Sequence, residues 1–299
     1  MTSLLLASCA GDDLEAEDGS GGAEDMGRVT LSGQSFDEAA LVAGMYQLLL
    51  EDAGYDVESK LVTSRDQYIN EFGESVDIAP EYVGGIVDLL NTMDNGADAE
   101  PITTPDGAET AEAGQELLDS HGITLLEQSE ATDTNAFFVT QAYADQNGVS
   151  KLSDLDGQSV VLAAAPDCKG RPDCEGGLTQ TYGIKVTKIL PLGFGGAQTF
   201  ESVKSGESQL GLTATTDGSV SEQGMVLLED DRQIQPAQNL VPAVSSDFLS
   251  DNPEVEDLLN GLMGELTTEK LAELNYQVTV ERQKAEDVAE QFLEDTGLL

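Results

Sequence analysis

From Arg28 onward the chain alternates short β-branched runs with helical stretches, and that alternation limits the folds open to it. RVTLSG (28–33) reads as a strand, the mostly apolar stretch 39–50 as a helix, and YDVESKLV (55–62) as the next strand. Ser35 is placed to cap that first helix, with Asp37 and Glu38 in its first turn and Gly54 as its stop. RDQYINEF (65–72) predicts a helix, DIAPEY (77–82) a strand, GIVDLL (85–90) a helix, AETAEAGQELLDSHG (108–122) a helix and ITLLEQ (123–128) a strand. NAFFVT (135–140), SVVLAAAP (159–166), KVTKILPL (185–192) and LGLTATT (210–216) predict further strands, separated by helical stretches such as LTQTYGI (178–184) and TFESVKSGE (199–207). Alternation at this spacing predicts an α/β fold with mostly parallel sheets. The C-terminal third instead predicts three successive helices, at 254–266, 267–278 and 285–297, with Thr267 and Thr268 as caps and Gly297 as a stop. At 299 residues, two domains are favoured over one.

Charge narrows the partners. The chain has 57 Asp and Glu against 13 Lys and Arg, a formal net charge of −44. Such a field repels nucleic acid and anionic headgroups, and both are set aside as partners. Solubility or a salty habitat accounts for such acidity without any special function. The same field draws cations and penalises anions, so a cation or a zwitterion is the expected class of small ligand.

No run of about 18 apolar residues is present to span a membrane as a helix. The sequence nevertheless begins MTSLLLASCAGDD, and Leu6-Ala7-Ser8-Cys9 resembles a bacterial lipobox, whose cysteine is lipidated. No Lys or Arg precedes Cys9 and the apolar run is short, so residues 1–9 are read as the remnant of a signal peptide that starts upstream. Residues 10–27 are acidic, Gly-rich and poor in large apolar groups, the composition of a disordered tether. Anchor, tether and body in that order place the body outside the cytoplasmic membrane, attached to its outer face through Cys9.

Enzyme chemistry finds little to work with. His121 is the only histidine, and it stands at a predicted helix end before Gly122. No GxSxG elbow, GxxxxGKS/T loop or GxGxxG turn is present. No catalytic residue, metal site or cofactor is expected. Cys168 and Cys174 frame Lys169 and Arg171 in PDCKGRPDC. Their C-x5-C spacing is not a zinc knuckle, and no second Cys pair or His cluster completes one. Outside the cytoplasm a disulfide is the better reading, and it would fix the direction of the Arg171 guanidinium, a fork matched to a carboxylate. On the motif alone, a stapled surface loop with a solvated Arg171 is equally open.

Several stretches together resemble the substrate-binding proteins of osmoprotectant ABC importers, the glycine betaine, choline and carnitine family. DIAPEYVGG (77–85) is similar to its D-L/I-x-P-E-Y-x-G motif. LSGQSFDEAALVAGMYQLLLEDAGY (31–55), APDCKGRPDCEGGL (165–178), TTDGSV (215–220), LEDDRQIQPAQNLVPAV (228–244) and the C-terminal 266–299 resemble other segments of it. The resemblance implies a type II periplasmic-binding-protein fold: two α/β lobes joined by two crossover hinge segments, with the ligand in the cleft. Lobe 1 would comprise 28–133 plus 240–299, and lobe 2 residues 134–239. It also implies a monomer that hands a solute to the transmembrane subunits of an ABC permease.

The family holds a quaternary ammonium among aromatic rings by cation–π attraction, about 2 kcal/mol or more per desolvated contact. Carried over by position, Tyr82 is the motif tyrosine and Arg171 the carboxylate-binding arginine. Asn135 and Phe137 match an N-T-Y segment, and Thr215, Thr216 and Asp217 the end of a later strand. Gln34, Ala214, Gln238 and Asn239 stand where many members have lysine or tyrosine, so a full cage of four rings is not implied. Phe194 and Tyr182 are possible replacement rings. The expected pocket is therefore more polar, and a receptor or sensor of the same fold for a more polar solute is the alternative function.

Overall fold

The computed structural model describes residues 26–299. In chain order the first elements are β1 (Gly27–Gln34), α1 (Asp37–Asp52), β2 (Tyr55–Val62), β3 (Ile78–Tyr82), α2 (Val83–Asn95), α3 (Gly107–Ser120) and β4 (Ile123–Leu125). Next come β5 (Asn135–Thr140), α4 (Gln141–Asn147), β6 (Ser159–Ala164), α5 (Glu175–Gln180), β7 (Lys185–Pro191), α6 (Ala197–Ser205), β8 (Leu210–Ala214) and β9 (Met225–Leu228). The chain then forms β10 (Leu240–Ser245), α7 (Ser246–Asp251), α8 (Glu254–Glu265), α9 (Thr268–Thr279) and α10 (Ala285–Thr296).

The strands form two five-stranded sheets, ordered β2-β1-β3-β10-β4 and β7-β6-β8-β5-β9, one in each lobe. The central strands β3 and β10 of one sheet and β8 of the other are buried on both faces, as an α/β layer requires. In lobe 1, Ile78 and Val244 point into a cluster with Leu41, Met45 and Leu49 of α1, Leu259 of α8 and Leu293 of α10. Their neighbours Ala79 and Ala243 face the opposite cluster, with Ile86, Val87 and Leu90 of α2 and Leu118 of α3. In lobe 2, Phe137 packs with Leu162, Leu178 and Tyr182. Adjacent Phe138 faces the other way and stacks on Phe200 at 4.6 Å between ring centroids.

The sequence predicts mostly parallel sheets, and the structure corrects this. Four strand pairings are parallel (β1/β2, β1/β3, β6/β7, β6/β8) and four antiparallel (β3/β10, β4/β10, β5/β8, β5/β9). The antiparallel partners are the strands that follow a passage between sheets, since β5 and β10 enter from the other lobe. Residue pattern signals a strand but not its direction. The stretch 65–72 is two short 3-10 turns rather than a helix, because buried Glu81 engages Arg65 Nε at 2.8 Å and also the Tyr68 hydroxyl. Ser35 does not cap α1, whose N-cap is Phe36 without a side-chain bond. Thr267 does cap α9, accepting from Lys270 N at 3.3 Å, and Gly297 ends α10 in the left-handed conformation.

Met26 packs against the lobe 1 core and Gly27 opens β1, so the folded body reaches two residues into the segment read as tether. Cys9, the lipobox and the rest of that tether lie outside the described residues. No helix among the described residues is long and apolar enough to cross a membrane.

Two connections, 126–134 and 229–239, carry the chain between the sheets. They meet side by side. Thr132 and Asn239 form an antiparallel bridge, Asp133 N donates to Gln238 O at 3.1 Å, and Leu240 N donates to Ala131 O at 3.0 Å.

Cys168 and Cys174 form a disulfide with Cα atoms 5.3 Å apart, both sulfurs buried in the lobe 2 core. Closing so short a loop is worth about 2 kcal/mol on the chain-entropy model. The C168A/C174A variant should lower the unfolding free energy by about that amount, read from urea midpoints under oxidising conditions. A midpoint equal to that of the parent protein would contradict a stabilising bond.

Candidate functional site

The disulfide holds a tight loop whose residues converge on Arg171. Arg171 Nε donates to Asp173 Oδ1 at 3.0 Å and Nη2 to Asp173 Oδ2 at 2.5 Å, a two-pronged pair. Nη1 donates to Asp167 Oδ2 at 2.7 Å. Asp173 chiefly, and Asp167, raise the guanidinium pKa above its ordinary value. Asp173 is also tied to lobe 2 and the crossover. Asn135 Nδ2 donates to its Oδ2 at 2.8 Å and to Gln235 Oε1 at 3.2 Å, while Gln235 Nε2 donates to the Asp173 carbonyl at 2.8 Å.

These groups open onto a hollow of about 200 Å³ lined by Asp133, Thr134, Asn135, Arg171, Asp173, Gln235, Pro236 and Gln238. Both crossovers contribute to its wall. One guanidinium faces two carboxylates there, so the hollow suits a solute that carries positive charge and can accept or donate hydrogen bonds.

Behind it, at the hinge, is a buried polar cluster that spans the lobes. The Tyr82 hydroxyl donates to Glu38 Oε1 at 2.5 Å, and Asn275 Nδ2 donates to Glu38 Oε2 at 2.5 Å. The same amide of Asn275, on α9, donates to the Thr216 carbonyl of lobe 2 at 3.1 Å. Thr216 Oγ1 in turn donates to Asp133 Oδ1 at 3.1 Å. Burial, then the negative charge of Glu38, pushes the Asp133 carboxyl up to about 7, against the lowering by Thr216. Burial and the same glutamate push the Tyr82 phenol well above its ordinary value, so it remains a donor.

Of the residues singled out in the sequence, Asn135, Arg171 and Gln238 meet in the hollow. Gln238 also accepts from Gly85 N at 3.1 Å, at the start of α2. Tyr82 and Thr216 sit in the hinge cluster instead, and Tyr82 is not among the residues lining the hollow. Thr215 fastens the crossover: its Oγ1 donates to Thr132 O at 2.5 Å and accepts from Thr134 N at 3.0 Å. Asp217 accepts from Thr213 Oγ1 at 2.5 Å and from Ser219 N and Oγ, which shapes a turn. Asn239 Nδ2 donates to Ser129 O at 3.0 Å, and Gln34 ends β1 half-buried opposite Val62. Phe137 is 1% exposed in the lobe 2 core, on the Asn135 face of β5 and in the same cluster as Cys168 and Cys174, so its ring is covered by that core. Tyr182 is likewise core, its hydroxyl on Asp230, whereas Phe194 is 48% exposed.

Sequence reasoning missed Glu38, Asp133, Asp173, Gln235 and Asn275. It also missed Phe36, which is 42% exposed and stacks on Tyr82 at 6.2 Å. Glycine allows two close approaches around the hinge. A Cβ on Gly84 would lie 2.3 Å from the Ala237 carbonyl of the crossover, and one on Gly218 would lie 2.2 Å from the Ala272 carbonyl of α9.

Residues 27–295 match the model of a family described as the substrate binding domain of ABC-type glycine betaine transport system. The chain is 25% identical to a glycine-betaine-binding protein of Pseudomonas aeruginosa, over 90% of this chain and 88% of that one. It is 24% identical to a carnitine transport binding protein of Listeria monocytogenes, over 98% and 92%. In fold it is similar to the crystal structure of a glycine betaine/carnitine/choline ABC transporter protein, with a TM-score of 0.77, 22% identity and coverage of 90% and 99%.

The Asp133 environment has a measurable consequence. Between the unfolded value near 4 and about 7, the native chain keeps a proton that the unfolded chain has released. Stability therefore falls as pH rises through that window and levels off above it. Asp133→Asn cannot ionise and keeps an oxygen for the Thr216 hydroxyl. It should raise Tm by about 3 °C or more at pH 8 and change it little at pH 4.5, by calorimetric melts. Equal shifts at both values would remove ionisation of Asp133 as the cause.

Proposed function

This chain belongs to the family of substrate-binding domains of ABC-type glycine betaine transport systems, and we propose from that premise that its interlobe cleft captures a small quaternary-ammonium or related zwitterionic solute. The solute is handed to the transmembrane subunits of an ABC importer. The observation that carries this reading is the hollow in which Arg171, Asn135 and Gln238 meet beside the two crossovers. Arg171 is the group for a ligand carboxylate, and the carboxylates of Asp133 and Asp173 favour the cationic end. Hinge bending at the crossovers closes the lobes over the solute. Binding is noncovalent and needs no cofactor.

The protein works outside the cytoplasmic membrane as a monomer, tethered through an acylated Cys9. Family membership and the Cys168–Cys174 bond, which persists in oxidising compartments, support the location. Mass spectrometry of the native protein tests the anchor, with acylated Cys9 expected at the mature N-terminus.

A second reading has its own support. No aromatic ring is among the residues lining the hollow, and Thr134, Asn135, Gln235 and Gln238 suit a more polar solute. Calorimetry against glycine betaine, carnitine, choline and ectoine separates the two, with a quaternary ammonium expected to bind most tightly. Arg171→Ala should weaken glycine betaine by about tenfold or more, and Tyr82→Ala should weaken it by loosening Glu38. Binding that survives both changes would displace the site from this hollow.

A further inference from the structure

The hollow has two carboxylates in its wall, and their settings differ. Asp173 takes Arg171 on both oxygens and Asn135 on one of them. Asp133 has no Lys or Arg partner among the described residues, and its side-chain donor is the Thr216 hydroxyl, on Oδ1 at 3.1 Å. Asp133 Oδ2 has no hydrogen-bond partner among the described residues. The enclosed oxygens without a partner belong to Tyr46, Asp88 and Asn275. Asp133 Oδ2 therefore meets open space, and the space that Asp133 lines is the hollow. One oxygen of this carboxyl sits in the hinge cluster and the other faces the solute.

The titratable and charged groups around Asp133 come from three elements. Glu38 of α1 and Tyr82 at the end of β3 stand behind it, and Arg171 and Asp173 stand across the hollow. The side chain that α9 brings to the cluster, Asn275, is neutral. Glu38 opposes a second negative charge, while Arg171 is already matched by Asp173 and Asp167. Burial and Glu38 together keep a proton on Asp133 up to about pH 7. With the Thr216 hydroxyl donating to Oδ1, that proton falls to Oδ2.

We propose that Asp133 couples solute capture to proton release. A positively charged group entering the hollow meets Oδ2, the O–H bond breaks, the proton passes to solvent, and the cation becomes the partner of the carboxylate. This rests on the reading that the hollow is the solute site. The cation favours the ionised form, so affinity rises with pH through about 7 and levels off above it.

The experiment is calorimetric titration of the full chain with choline and with glycine betaine, in buffers of different ionisation enthalpy, which counts the protons exchanged. The quaternary ammonium has no proton of its own, so those counted come from the protein. A cation in contact lowers a carboxyl midpoint by about one unit or more. That predicts release of about half a proton per solute at pH 6.5 and close to none at pH 9, with binding about tenfold tighter at pH 8.5 than at pH 5. Asp133→Asn, which mimics the protonated form, should bind with no proton exchange and with the parent's pH 5 affinity throughout. His121→Gln removes the only histidine, which bonds Asp94 and does not line the hollow, and should leave the release intact. Solute binding that releases no proton and is level with pH would overturn the proposal and leave the functional reading standing. Release that persists in Asp133→Asn would assign the proton elsewhere and overturn it as well. If neither solute binds at any pH, the functional reading falls and takes this inference with it.

Discussion

The antiparallel contact of the two crossovers is the constraint on which the rest depends. A few backbone hydrogen bonds join them, at Thr132, Asp133 and Leu240. Everything else on either side is a buried sheet with helices on both faces. Bending is cheapest where packing is thinnest, so the hinge is where the lobes can move. The same few residues carry the site. Asp133 points into the buried cluster, Thr134 is fastened by Thr215, and Asn135 reaches Asp173. Three consecutive residues therefore fasten this crossover to lobe 2 and to the Arg171 loop, while the bond from Asn275 to the Thr216 carbonyl crosses from lobe 1.

A chain with 57 acidic residues and only 13 Lys and Arg cannot pair every buried or half-buried carboxylate with a cation. The structure uses neutral donors instead. Glu38 is held by a phenol and an amide, and Asp230 by the Tyr182 hydroxyl and two backbone N–H groups. Scarce cations are kept for particular places: Arg65 on fully buried Glu81, and Arg171 in the hollow. Asp133, desolvated and facing the charge of Glu38 with one hydroxyl donor, holds its proton to higher pH. At high salt the long-range pull of the acidic surface on cations fades within a few ångströms. The short contacts around Arg171 in the hollow are screened much less.

Elements were legible in the sequence where the signal is local. YDVESKLV, NAFFVT and the three C-terminal helices carry their own periodicity, and Thr267 announces a cap. Strand direction was not legible, because β10 takes its place between β3 and β4 only after the chain has built another lobe. The site divides the same way. Cysteine spacing and the family resemblance led to Arg171, and with it Asn135 and Gln238. Glu38 read as a first-turn acid of α1, since its partner Asn275 lies 237 residues away. Phe137 and Phe138 are adjacent rings on opposite faces of β5, both packed into lobe 2 clusters, and a pattern of two rings gives no sign of whether either is left open to a ligand.

Three of the five N–H donors of Arg171 already have carboxylate partners. A naked Arg171 in the hollow would leave a half-buried charge without acceptors whenever the cleft is empty, a costly state for the unliganded protein. Asp173 and Asp167 remove that cost and so lower the net gain from a ligand carboxylate. On the proposed reading the lower gain also eases release, because contacts that hold a solute must be given up again. Asp173 lies inside the ring closed by Cys168 and Cys174 and Asp167 one residue before it, so the guanidinium and both its acids are fixed within a few residues of one another.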